Sequence, residues 1–115
     1  MRIRRGDLFW VDLDPTKGLE QAGRRPVLVI QNDIGNEVAP TVIVAPLTTK
    51  SFTKEYPISV HVPRSIGGLK ENSTILFSQI RTIDKSRLDR KIGRLPPVYL
   101  QKVNHAISIS LGLTL

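Results

Sequence analysis

Apolar residues come in short runs punctuated by glycine, proline and asparagine, a spacing that predicts strands along most of the chain. Val27, Leu28, Val29 and Ile30 form one unbroken run, with Gly23 and Pro26 before it and Asn32 and Asp33 after it, so a buried strand between turns is expected there. Similar patterns predict strands over residues 7–13, 26–32, 41–47, 56–62, 73–77 and 91–95. Phe9 and Trp10 alternate on the first of these, so one faces the core and the other points outward. The end of the chain changes period. Pro96 and Pro97 can open a helix, and Leu100, Val103, Ile107 and Leu111 recur at helical spacing. Ile107 and Ile109 are β-branched, so that helix depends on packing. A further helical turn is expected around residues 79–83. Strands at this spacing, with short polar turns, predict a mainly β fold with appended helices: a compact, closed or half-closed barrel carrying a C-terminal helix.

Two loops fall outside the strands. Residues 14–24 are polar and carry Gly18 and Gly23, and residues 49–55 are polar and basic with Lys50 and Lys54. Both are expected to be exposed and mobile. With 115 residues the chain is expected to form a single domain over 1–115. Seventeen basic residues against ten acidic ones give a net charge of +7, which favours a polyanionic partner: nucleic acid, an acidic protein segment or an anionic membrane. A soluble protein that is merely basic would have the same composition.

The chain has no cysteine, so disulfides and thiolate zinc sites are excluded and nothing calls for an oxidising compartment; the cytoplasm is the default. Arg2, Arg4, Arg5 and Asp7 crowd the start of the chain, which fits neither a signal peptide nor a membrane span. His61 and His105 stand in no metal-ligand spacing, and neither a phosphate-binding Gly-Lys loop nor a nucleophile elbow is present. An enzyme built on this sequence is therefore expected to work without a metal, a cofactor or a histidine.

Arg25 is the residue the pattern singles out. It sits at the mouth of the buried strand, immediately before Pro26, whose ring restricts the preceding backbone and so limits where the guanidinium points. Gly18, Glu20, Gln21, Gly23, Arg25, Pro26, Val27 and Val29 resemble the signature loop and strand of the MazF/PemK-type toxin endoribonucleases. Arg5-Gly6-Asp7 with Phe9-Trp10-Val11-Asp12 resembles that family's first strand, Ala45-Pro46-Leu47-Thr48-Thr49 its third, and Gln79-Ile80-Arg81-Thr82-Ile83-Asp84 its late motif. The resemblance covers nearly the whole chain in the right order. Leu19 departs from it, since a small polar residue is common there, and the departure bears on base preference more than on cleavage.

The resemblance implies an SH3-like barrel, shared with the CcdB-type toxins, and a sequence-specific, metal-independent endoribonuclease acting on single-stranded RNA. Its catalytic residues would be Arg25 and Thr48, with Glu20 at a position important for activity. Glu20 could orient Arg25, or form a simple loop ion pair with Arg24 or Arg25. Gln21, Arg24, Thr49, Lys50, Gln79 and Arg81 are the expected RNA contacts, although Gln79 and Arg81 could equally belong to a dimer seam or cap a short helix. The implied partners are a second copy of the chain, with residues 79–84 at the seam, and an acidic, partly disordered antitoxin. RNA suits such a site because the ribose 2′-OH is its own nucleophile, leaving the protein to stabilise charge on phosphate oxygens. A guanidinium offers paired planar donors for that task, and Thr48 adds a hydroxyl. A guanidinium gives up its proton only with difficulty, which makes base action costly, so Arg25 reads as an electrostatic clamp and possible acid. Two other classes compete: a barrel that poisons a topoisomerase, as CcdB-type proteins do, and a non-catalytic nucleic-acid-binding barrel. The trio Arg25, Glu20 and Thr48 disfavours the first. The scarcity of aromatics, one Trp, two Tyr and three Phe, disfavours the second.

Overall fold

The apolar run at 27–29 is buried on both sides because it runs between two cores. The structure, a computed structural model, describes residues 2–50 and 58–113. In β2 (Arg24–Val29), Leu28 belongs to a core with Leu8, Leu47, Ile75 and Phe77, while Val27 and Val29 face a second core with Phe9, Val11, Val42 and Val44. A strand buried on both faces needs a continuous apolar run, which is what the sequence carries.

All strand pairs are antiparallel, in the order β4-β5-β3-β2-β1-β7. β4 (Ser59–Val62) and β7 (Leu88–Arg94) stand at the two ends, with β5 (Ser73–Leu76) and β1 (Asp7–Asp12) next inside them. β3 (Thr41–Thr48) is the branch point. One edge pairs with β2, and the other is divided between β6 (Arg81–Asp84), which takes Thr41–Val44, and β5, which takes Leu47 and Thr48. The sheet is open, with no β4–β7 ladder among the described residues, and its antiparallel order with one C-terminal helix is consistent with the SH3-like barrel expected. At the open side a 3-10 turn over Ile66–Gly68 lies on β7. Contact there is backbone to backbone: a Cβ at Gly93 would sit 2.2 Å from the Gly67 carbonyl oxygen.

α2 (Pro97–Ser110) begins at the expected proline pair and buries Val103 and Ala106 in the first core. Its end is tied down by the Ser110 hydroxyl, which donates to the Phe77 carbonyl at 2.6 Å. No helix among the described residues is long and apolar enough to cross a membrane.

Three expectations change. Residues 79–83 do not form a helical turn: a 3-10 turn over Phe77–Gln79 leads into β6, because the first half of β3 has an edge of backbone groups to satisfy and β-branched Thr82 and Ile83 suit a strand. The segment after β2 is not a simple turn but holds α1 (Asp33–Val38), capped by Asn32, whose side-chain oxygen accepts the Gly35 N–H at 2.8 Å. The last strand begins at Leu88 rather than 91. The expected strand at 56–62 is seen from Ser59, its first two residues and most of the 49–55 loop lying outside the described residues.

The polar residues inside this frame are paired. Asp7 is fully buried and bridges Lys91 Nζ at 3.1 Å and an Arg94 guanidinium nitrogen at 3.0 Å, while accepting the Arg4 N–H at 2.8 Å. At the surface, exposed Asp33 accepts the Arg5 backbone N–H and an Asn36 side-chain N–H, which hold its carboxyl below the ordinary range.

Gly93→Ala should cost about 1–3 kcal/mol, the usual range for overpacking, because the new methyl meets backbone that cannot rotate away. Urea unfolding of the variant against the wild type measures this.

Candidate functional site

The position of Arg25 follows from a missing proton. The β2–β3 ladder pairs Val29 with Val44, Leu28 with Ala45 and Val27 with Pro46, so one further step sets Pro26 opposite Leu47 and the next sets Arg25 opposite Thr48. Ile30 N–H donates to the Ile43 carbonyl at 3.0 Å, which marks 30/43 as a hydrogen-bonded pair; the pattern alternates, making 28/45 and 26/47 the next such pairs. The Leu47 carbonyl should thus receive the N–H of residue 26, but that residue is proline and has none. Arg25 supplies the donor instead: its Nη1 bonds the Leu47 oxygen at 3.0 Å and its Nε bonds the Ala22 oxygen at 2.9 Å. Two backbone carbonyls therefore fix the half-buried guanidinium beside the Leu47–Thr48 peptide, and the rest of its five-donor fork is uncommitted among the described residues.

Thr48 is the last residue of β3 and half-buried; its hydroxyl oxygen accepts the Lys50 N–H at 3.2 Å, closing the strand end while leaving the hydroxyl proton available to donate. Arg25 and Thr48 are thus brought together by ladder register. Thr49 and Lys50 follow, exposed, at the same rim.

Glu20 takes neither role expected of it. It makes no ion pair with Arg24 or Arg25; its carboxylate accepts the Lys17 N–H within the same loop. Gln21 and Gln79 meet each other, Gln79 accepting the Gln21 backbone N–H at 3.2 Å. Arg81 reaches the other side of that loop and donates to the Leu13 carbonyl at 3.2 Å. Arg24 stacks over the Trp10 ring at 5.3 Å and pairs with Asp89 at 2.5 Å. Leu19 stands at the apex, 95% exposed.

Beside Arg25 opens a cleft of about 540 Å³, lined among others by Trp10, Arg24, Thr49, Lys70, Arg90 and Lys91. Its charged lining is basic, with Arg24, Arg25, Lys70, Arg90 and Lys91 against Glu71, and the remaining walls are apolar or uncharged. Of Phe9 and Trp10, Phe9 is the core residue and Trp10 the outward one, forming part of the wall. Lys70, Arg90 and Lys91 were not singled out by motif. The available signal was a run of charge, Asp89-Arg90-Lys91, inside a strand, where each side chain must be solvated or paired. Lys91 does both, since Asp7 anchors its ammonium from the buried side. His61 and His105 are exposed, on β4 and α2 respectively. Among the described residues no three His, Cys, Asp or Glu side chains cluster as metal ligands.

Comparison with known proteins places this geometry in context. Residues 4–111 match the family model described as PemK-like, MazF-like toxin of type II toxin-antitoxin system. An endoribonuclease MazF of Staphylococcus saprophyticus is 48% identical over 111 residues, covering 96% of this chain and 92% of that one. The crystal structure of MazF from Deinococcus radiodurans superposes with a TM-score of 0.82 at 29% identity, covering 97% of this chain and 98% of the other. A mycobacterial endoribonuclease in complex with its cognate antitoxin also superposes with a TM-score of 0.82, at 25% identity and 98% coverage of both chains.

Proposed function

The chain belongs to the PemK-like, MazF-like toxins of type II toxin–antitoxin systems, and we propose that it is a sequence-specific endoribonuclease that cuts single-stranded RNA without a metal ion. The observation that carries this reading is the anchored Arg25 guanidinium, one peptide from the Thr48 hydroxyl, at the edge of a cationic cleft. The 2′-oxygen attacks the adjacent phosphorus and loses its proton to solvent, while the bond from phosphorus to the 5′-oxygen breaks and that oxygen gains a proton. The products are a 2′,3′-cyclic phosphate and a 5′-OH. Extra negative charge develops on the non-bridging oxygens, where the free face of Arg25 and the Thr48 O–H donate. Because the guanidinium is already bonded to two carbonyls, it needs little reorganisation as that charge grows. Arg25 acts as a fixed donor with access to the departing oxygen, because a guanidinium gives up a proton only at high cost.

Lys70, Arg90, Lys91, Thr49 and Lys50 provide the path for the RNA backbone, with Arg24 and Trp10 on its wall. The protein works as a homodimer in the cytoplasm, which doubles the groove available to a long substrate. An acidic, partly disordered antitoxin segment competes for the same cationic surface, consistent with the antitoxin complex formed by the structural relative.

A chimeric oligonucleotide assay in excess EDTA tests the chemistry. Wild-type protein should cut the all-ribose strand and leave the strand with deoxyribose 5′ of the cut intact. Arg25→Ala should lose about 100- to 1000-fold in rate, with Thr48→Ala losing as much or less. Cutting of the deoxy strand, or a wild-type rate from folded Arg25→Ala, contradicts the assignment.

Antitoxin binding should weaken as salt rises and should exclude a non-cleavable RNA. A competition titration in which both bind one dimer without loss of affinity would refute the shared surface.

A further inference from the structure

Gln79 is expected at the RNA surface, at a dimer seam or capping a short helix, and its side chain is engaged with the 14–24 loop. Its amide oxygen accepts the Gln21 N–H at 3.2 Å and its amide nitrogen donates to the Leu19 carbonyl at 3.4 Å. Those two backbone groups flank Glu20 on either side. An N–H and a C=O so placed normally find their partners along a neighbouring strand. Here one flat primary amide, carrying both an acceptor and donors, serves the pair. Its orientation is dictated by the partners, since an N–H must meet oxygen and a C=O must meet nitrogen.

The other end of this bracket is rigid. Gln79 closes the 3-10 turn whose first residue, Phe77, is buried in the core, and Phe77 is held by its own N–H to the Ile58 carbonyl at 3.0 Å and by Ser110. The loop is tied at its base, where the Gly23 N–H donates to the Asp14 carboxylate at 3.2 Å and the Ala22 carbonyl accepts from Arg25 Nε, but its apex is held only locally. Gly18 and Leu19 at its apex are exposed, and Glu20 bonds back to Lys17 through both its N–H, at 3.2 Å, and its carboxylate. We propose that Gln79 is a positioning residue that brackets Glu20 and thereby sets the segment whose Ala22 carbonyl holds Arg25 Nε. The proposal rests on the endoribonuclease reading of the cleft beside Arg25. It also supplies what the Glu20 geometry lacks: Glu20 does not touch Arg25, so its place relative to the site is set through its backbone.

The tests use Gln79→Met, which fills similar space without either hydrogen bond, and Gln79→Glu, which at neutral pH keeps the acceptor but turns the donor into a charged oxygen facing the Leu19 carbonyl. In Gln79→Met the Gln21 amide should exchange hydrogen faster than in the wild type. Its kcat should fall by about 10- to 100-fold with KM within about twofold, as expected of displaced groups rather than a lost substrate contact. Gln79→Glu should recover relative to the wild type as the pH falls from about 7 towards about 4, because a protonated carboxyl again offers one donor and one acceptor; its ordinary pKa is about 4.3. A raised KM with unchanged kcat and a flat pH ratio would overturn the proposal and make Gln79 a direct RNA contact. Unchanged Gln21 exchange in Gln79→Met overturns the bracket whether or not the wild type cleaves. A wild type that fails to cut RNA while that exchange still speeds up would sink the endoribonuclease reading and leave the bracket standing.

Discussion

The site depends on a carbonyl that its own sheet cannot satisfy. Leu47 lies in β3 where the ladder calls for an N–H from residue 26, and Pro26 has none. A buried carbonyl without a donor costs about 1–3 kcal/mol, so the guanidinium one residue earlier is drawn onto it. Fold stability and site geometry are therefore served by the same contact. The ladder stops, the strand ends at Thr48, and the cation that fills the gap is left facing an open cleft with part of its fork unused. Pro26 does more than restrict the backbone at Arg25; it vacates the acceptor to which Arg25 binds.

Around that contact the branching of β3 organises the rest. Its first half must be covered by β6 and its last two residues by β5, and the turn between those strands delivers Phe77 to the core and Gln79 to the loop before β2. On the far side of β2, β1 carries Asp7 into the interior, where it meets Lys91 and Arg94 from β7. A buried carboxylate is tolerable only when paired and hydrogen-bonded, and here both cations and the Arg4 N–H do so. Lys91 thereby stands on the cleft wall with its ammonium held from behind. The basic surface is thus partly built into the core rather than spread loosely over it.

What could be read from the sequence follows from which forces act locally. The run at 27–29, the Phe9–Trp10 alternation and the proline start of α2 are set by burial and backbone restriction, both visible in adjacent residues. α1 was hidden because Gly35 at its middle lowers helix propensity, and only the Asn32 cap with Asp33 behind it gave a signal. β6 was misread because Gln79-Ile80-Arg81-Thr82-Ile83 alone fits a short helix, whereas the unpaired half of β3 that claims it is some forty residues away in sequence. Arg25 and Thr48 could be named from family motifs, but the reason they meet lies in a register between strands. For Glu20, charge alone pointed to a salt bridge; the loop instead turns its carboxylate back onto Lys17, a local bond that pairwise charge counting does not reveal.

The most direct test of this account is the single-turnover cleavage rate of Pro26→Ala at saturating protein. The substitution returns an N–H opposite the Leu47 carbonyl, which then competes with Arg25 for it. Losing one anchoring hydrogen bond of about 1 kcal/mol from the clamp should slow cleavage by about fivefold or more, while the completed ladder keeps the protein folded. A folded Pro26→Ala variant that cleaves at the wild-type rate would contradict the claim that the vacated carbonyl is what places the guanidinium.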